Sequence, residues 1–225
     1  MVTDRMAAQR TARQLRADDT KARLFAAATE LFATRGYHAT TVDEIARRAG
    51  VAKGTFFVHF ATKDGVVIQL VRMQTGAAKR ARTAALADGP LAALRAAVMM
   101  LGEQAGFSRE LSRAVLSGTL ENAVLSGDLD LLFGEVFADM IADARAAVAA
   151  GELHPTRDGE LLARALMASY LGAALHFTSS RQSEPLVAVL APLVDANIDG
   201  FKNREDSHAP SPRPRPRRAR GRLRK

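Results

Sequence analysis

Apolar residues recur at Leu24, Phe25, Ala28, Leu31 and Phe32, the spacing of a helix with one buried stripe. That helix is predicted over Asp19 to Arg35, with Gly36 ending it. A second stripe follows at Val42, Ile45, Ala46 and Ala49. Thr41 stands just before it and Glu44 three residues on, the pattern of a capping box. Gly50 sits where a helix stops in a left-handed residue. The chain then restarts, with Phe56 and Phe60 pointing inward and Lys53, Gly54, Thr55, Phe57 and His59 on other faces. Two short helices joined by a tight turn form a helix-turn-helix, whose second helix enters the major groove of DNA.

The pattern stays helical to about residue 201. One long helix is expected from Thr62, as N-cap, to about Leu86, with Val66, Val67, Leu70 and Val71 packing back on the head. Asp88-Gly89-Pro90 is a break. Helices are predicted over 91–105, 107–116 and 119–125, then, past a break at Ser126-Gly127, over 129–150. The last two span 159–179 and 185–201. The helix at 159–179 carries one apolar face at Leu162, Leu166, Ala173 and Phe177. Another holds Leu161, Ala165, Ala168, Gly172 and Leu175, so it is expected to be covered on two sides. The fold class is all-α: an N-terminal three-helix bundle with a helix-turn-helix, joined to a larger helical domain.

Composition narrows the function. The 225 residues include no Cys, which excludes disulfides, thiolate metal sites and a cysteine nucleophile. The apolar runs are read as short of the ~20 residues of a membrane span, and the N-terminus lacks a signal pattern. A cytoplasmic protein with no membrane partner is expected, associated with the nucleoid when on DNA. The net charge is +8, and its placement matters more. Arg213, Arg215, Arg217, Arg218, Arg220, Arg222, Arg224 and Lys225 crowd the C-terminus without an acid among them. Without them the chain is neutral, positive up to residue 63 and negative from 64 to 212. Basic ends suit a protein whose ends touch phosphate. Four units are expected: a flexible basic arm (1–19), the helix-turn-helix domain (20–66), a larger helical domain (67–203), to which the resemblance described next assigns ligand binding and dimerisation, and a disordered Arg/Pro-rich tail (204–225).

The run from about Thr20 to Leu70 resembles the DNA-binding domain of the TetR family of bacterial one-component regulators. The resemblance rests on RGYHATTV, DEIARRAGV, KGTFFVHF and TKDGVV in this order. It covers roughly a quarter of the chain; the remainder matches in length and helical character. The resemblance implies that Thr41, Arg47, Thr55, His59 and Lys63 touch phosphate, and that Lys53, Gly54 and Phe57 face base edges. Lysine can donate to guanine, glycine admits close approach, and a phosphate clamp positions without specifying. Two departures stand out: Ala52 replaces a common Ser and cannot cap its helix, and Phe57 replaces a common Tyr. The resemblance also implies a homodimer built on the last two helices, through Leu161, Ala165, Ala168, Gly172, Leu175, Leu190 and Leu193.

No catalytic or metal constellation is visible, so neither an enzyme nor a cofactor is expected. Met99, Met100, Phe107, Phe133, Phe137, Met140, Met167 and Tyr170, with Gln104, Asn122 and His176 as polar members, are candidates for the family's ligand pocket. The reading is a repressor that covers a pseudo-palindromic operator on double-stranded DNA and is released by a small, apolar effector. An activator or architectural DNA binder without a ligand is the alternative, followed by a helical carrier or enzyme for an apolar molecule.

Overall fold

A computed structural model describes the backbone of residues 2–121, 123–180 and 184–202, and the side chains of 14–117, 127–180 and 184–202. Helix α1 (Val2–Arg35) begins well ahead of Asp19. The stretch from Val2 to Arg16 has little to bury, yet it holds no Gly or Pro and many Ala, Arg and Gln. Intrinsic propensity carries the helix there, so the arm expected to be flexible is helical from Val2. Gly36, at φ 86°, ends α1, and its N–H reaches Phe32 O at 3.0 Å.

Helix α2 (Val42–Arg48) has the capping box in both directions. The Glu44 N–H donates to the Thr41 hydroxyl at 3.3 Å, and the Thr41 N–H donates to the Glu44 carboxylate at 2.9 Å. Helix α3 (Lys53–His59) starts at Ala52 with no side-chain cap. Phe56 and Phe60 drop into the head core beside Leu24, Phe32, Ile45, Val66 and Val67. Helix α4 (Asp64–Ala85) leaves the head with Lys63 at its cap position, and the Thr62 hydroxyl accepts from the Gly65 N–H at 3.4 Å. A 3-10 turn (Leu86–Asp88), Gly89 at φ 108° and Pro90 reverse the chain into α5 (Pro90–Ala105).

Helices α6 (Arg109–Glu121) and α7 (Ala123–Ala149) correct the expected pattern. The chain does not break at Ser126-Gly127; the stretch predicted as a short helix at 119–125 is divided between the end of α6 and the start of α7. A Cβ on Gly127 would meet nothing within 4 Å, so only its propensity penalty of about 1 kcal/mol opposes the helix. Burial of Leu129, Val136, Met140, Ala144 and Ala147 along α7 outweighs that.

Helix α8 (Gly159–Ser179) is capped by Asp158, whose carboxylate accepts from the Glu160 N–H at 2.9 Å. By length and composition it is long and apolar enough to cross a membrane, a correction to the reading that no stretch is. Its inner face, through Leu162, Leu166, Tyr170 and Phe177, lies in the body core with α9 (Leu186–Phe201). A Cβ on Gly159 would stand 2.9 Å from the backbone of Ala144, so this glycine sets how closely α8 approaches α7.

Two features join head and body. Leu111 of α6 and Leu129 of α7 are buried in the head core, with Val115 and Phe133 packed against it. Near its far end, α4 is pinned to α7 by Arg82, whose Nε and Nη2 donate to Asp143 at 2.6 and 2.7 Å.

Candidate DNA-reading face and apolar cavity

With Phe56 and Phe60 inside, α3 turns Lys53, Gly54 and Phe57 outward, and Phe57 is 49% exposed. Val58 is 79% exposed on the same helix. Sequence reasoning left it out, although a residue two past Phe56 and two before Phe60 must point away from their face. Thr55 and His59 are half-buried at the edges of that face, while Thr41 and Arg47 are exposed on and before α2.

Several of these groups already have partners. Lys53 Nζ lies 2.7 Å from Asp43 on α2, both side chains exposed. Glu44 occupies the Thr41 hydroxyl as well as its N–H. Lys63, expected at phosphate, is part-buried and donates to the carbonyls of Tyr37 and Thr40 at 2.7 and 2.9 Å. Its ammonium also stands 4.2 Å from the Tyr37 ring centroid. Burial lowers its pKa, and Asp64 partly opposes this. In this geometry Lys63 braces the turn between α1 and α2. Tyr37 completes the brace by donating to Asp64. Burial, then that hydrogen bond, then the Asp64 charge hold the phenol well above its usual pKa.

The body contains an apolar cavity of about 320 Å³ between α4, α6, α7 and α8. Of the expected residues, Phe133, Phe137, Met167 and Tyr170 line it. The others do not. Met140 is fully buried in the body core, and Met99 and Met100 pack against that core from α5; among the described residues of α5, only Ala105 reaches the cavity. Phe107, past the end of α5, is 88% exposed. Gln104 and His176 lie on the surface, and Asn122 falls outside the described residues. In their place the wall holds Gln74, Ser112, Val115, Leu116, Leu129, Asp130, Gly134, Leu171 and Ala174. Gln74 could have been found, because Val67, Val71, Gln74 and Ala78 follow one inward stripe of α4.

The outer face of α8 presents Leu161, Ala168, Gly172 and Leu175, all exposed, with Ala165 at its edge and Leu193 exposed on α9. Leu190 does not belong there. It is fully buried, and its side chain fills the space where Gly102 of α5 lacks a Cβ.

Residues 24–70 match the family of bacterial regulatory proteins described as tetR. Over 173 residues the chain is 32% identical to the transcriptional regulator AcuR of Cereibacter sphaeroides, covering 72% of this chain and 78% of that one. The chain belongs to the tetR family. A higher identity, 46% over 54 residues, links it to the transcriptional activator FasR of Mycolicibacterium smegmatis. That match covers 24% of this chain and 25% of FasR. The chain likewise spans 26% of the fatty acid metabolism regulator protein of Bacillus subtilis. Among solved structures of the tetR fold, FadR of Bacillus halodurans superposes with a TM-score of 0.70 at 20% identity, over 82% of this chain and 97% of that one. Thermus thermophilus FadR, a repressor solved with lauroyl-CoA, gives 0.63 at 25% identity, over 85% and 98%.

Proposed function

We propose that this tetR-family regulator is a ligand-responsive repressor. It binds a pseudo-palindromic operator as a homodimer, in the cytoplasm and on the nucleoid. The observation that supports this best is that cavity and reading head share side chains. Val115, Leu129 and Phe133 line the cavity and also pack on the head core. A molecule that seats better when these three move shifts the population toward a head arrangement that no longer fits the operator. Residues 20–66 carry the reading function and 67–203 the ligand and dimer functions. Two copies joined through the outer faces of α8 and α9 would set half-site centres about 34–36 Å apart or slightly more.

Lys53, Gly54, Phe57 and the missed Val58 would face base edges, with Thr41, Arg47, Thr55 and His59 on the backbone. Lys53 must leave Asp43 to reach a base. The cost is small, because exposed pairs contribute about 0–1 kcal/mol. Activation of transcription is the second reading, favoured by the 46% identity over 54 residues to FasR, which is named a transcriptional activator. The test is a footprint of the purified protein on the region upstream of its own gene, beside Lys53→Ala. A short protected palindrome that the variant loses supports the reading. Binding that ignores sequence and survives the substitution refutes it, and transcription in vitro from the protected promoter then separates repression from activation.

A further inference from the structure

We propose that the cavity takes an uncharged amphiphile, a hydrocarbon body ending in one hydroxyl or carbonyl, and that Gln74 and Tyr170 read that polar end. The inference rests on the ligand-responsive reading above and adds the chemical class of the ligand.

The hydrocarbon part follows from a mostly apolar wall, with Leu116, Leu129, Phe133, Phe137, Met167 and Leu171 among its members, around about 320 Å³, the small end of the range for ligand sites. Phe133 and Tyr170 add a tilted ring pair with centroids 6.3 Å apart.

The polar part comes from three side chains, each 5% exposed: Gln74, Ser112 and Tyr170. Ser112 gives its proton to Ala105 O at 2.5 Å, so its oxygen faces the cavity as an acceptor only. Gln74 Nε2 reaches Gln104 O at 3.5 Å, a long contact that a ligand oxygen can better. Among the described residues no fully enclosed side-chain polar atom lacks a partner, and burial is the cause of the raised Tyr170 pKa. Its hydroxyl therefore opens on the cavity as a protonated donor. Two neutral donors and a hydroxyl acceptor suit one uncharged oxygen function.

The charge pattern argues against an anion. The ionisable acid on the wall is Asp130, at the exposed rim. Among the described residues, the cation over a wall ring, Arg164 above Phe137 at 5.7 Å, is already held by Glu160 at 2.6 Å. A carboxylate or phosphate entering here would lose water without gaining a cation from the described wall. Gln74 also gives the site a consequence, because Val66, Val67 and Val71 of the same helix are in the head core. A hydrogen bond to Gln74 pulls on the helix that carries the head.

The experiment is calorimetric titration of the full chain with decanol, decanoate, decyltrimethylammonium and decanoyl-CoA, which share one chain and differ in head group. Decanol is expected to bind at least about tenfold more tightly than decanoate or decanoyl-CoA. Gln74→Leu and Tyr170→Phe are each expected to weaken decanol by roughly fivefold to tenfold, with the thermal midpoint of the free protein little changed. Decanoate or decanoyl-CoA binding as tightly as decanol overturns the uncharged class and leaves the ligand-responsive reading standing. Tighter binding of decyltrimethylammonium overturns it in favour of Asp130 as the reader. Decanol binding untouched by both substitutions overturns the assignment of Gln74 and Tyr170. Binding of none of the four overturns the cavity as an effector site altogether. Decanol that binds without releasing an operator fragment refutes the effector reading alone.

Discussion

Replacing Arg82 by Met should cost more stability than most single changes in this chain. Arg82 holds Asp143 through two hydrogen bonds of 2.6 and 2.7 Å. The arginine side chain is 21% exposed and the aspartate 4%. The carboxylate thus sits away from water with its charge met by one guanidinium, and that hydrogen bond is also what holds the Arg82 pKa up. Removing the cation leaves an uncompensated buried charge, a loss of about 3–5 kcal/mol. Total stabilities are about 5–15 kcal/mol, so the fraction lost is large. With a urea slope of about 3 kcal/mol/M, the midpoint should fall by roughly 1–1.7 M. The assay is urea unfolding followed by far-UV circular dichroism at one fixed protein concentration, because association would shift the midpoint by mass action. Adding Asp143→Leu to Arg82→Met should recover most of the loss, since removing both charges removes the desolvation cost too. A single-variant loss under about 1 kcal/mol, or a double variant no better than the single one, would refute a buried, mutually dependent pair between α4 and α7.

The Glu44 cap and the outer face of α8 give two further predictions. The Glu44 pKa is lowered, first by the Thr41 N–H, then by the Thr41 hydroxyl, with Arg35 and Arg47 adding their charges. A depressed folded-state value means that the cap contributes fully above the unfolded value of about 4.3 and fades as pH falls through the lower folded one. Thermal midpoints measured from neutral pH to pH 3 should therefore fall less steeply for Glu44→Gln than for wild type; equal slopes would contradict the charged cap. On α8, Leu175→Glu should convert the proposed dimer to monomer in sedimentation experiments and weaken operator binding. Burying each leucine is worth about 1.5–3 kcal/mol, twice per dimer, and the charge reverses its sign. A variant that still sediments as a dimer would move the interface elsewhere.

Much of the head was legible because its signals are local. Thr41 and Glu44 cap within one turn, Gly36 and Gly50 stop helices at positive φ, and Phe56 and Phe60 can only face one way. The errors arose where distant packing decides. Gly127 reads as a break, but nothing crowds it and one face of α7, from Leu129 to Ala147, is buried, so the helix continues. Leu190 and Leu193 are both apolar on one short helix. Only the approach of Gly102 on α5 makes Leu190 core and leaves Leu193 outside. Phe107 carries the residue type of a pocket wall, yet it follows the C-terminus of α5 and faces solvent. Cavity walls are the least local feature of all. Leu129 and Gln74 lie more than fifty residues apart, and their shared cavity depends on how α6 sits between α4 and α7.

That position of α6 bears on how a ligand could reach the head. A long helix acting alone as a lever would leave the body core and the head core separate, joined by α4. Here the two cores touch. Phe133 packs against both, and Leu111 and Leu129 are buried in the head core although they belong to α6 and α7. The same Phe133 meets Tyr170 across the cavity. Close-packed interiors change by discrete repacking rather than by gradual strain. A ligand that displaces Phe133 therefore disturbs the head core directly, while the Arg82–Asp143 pair holds the far end of α4 in place. Because Val66, Val67 and Val71 of α4 belong to that same head core, a repacking there reaches the helix that carries the reading head.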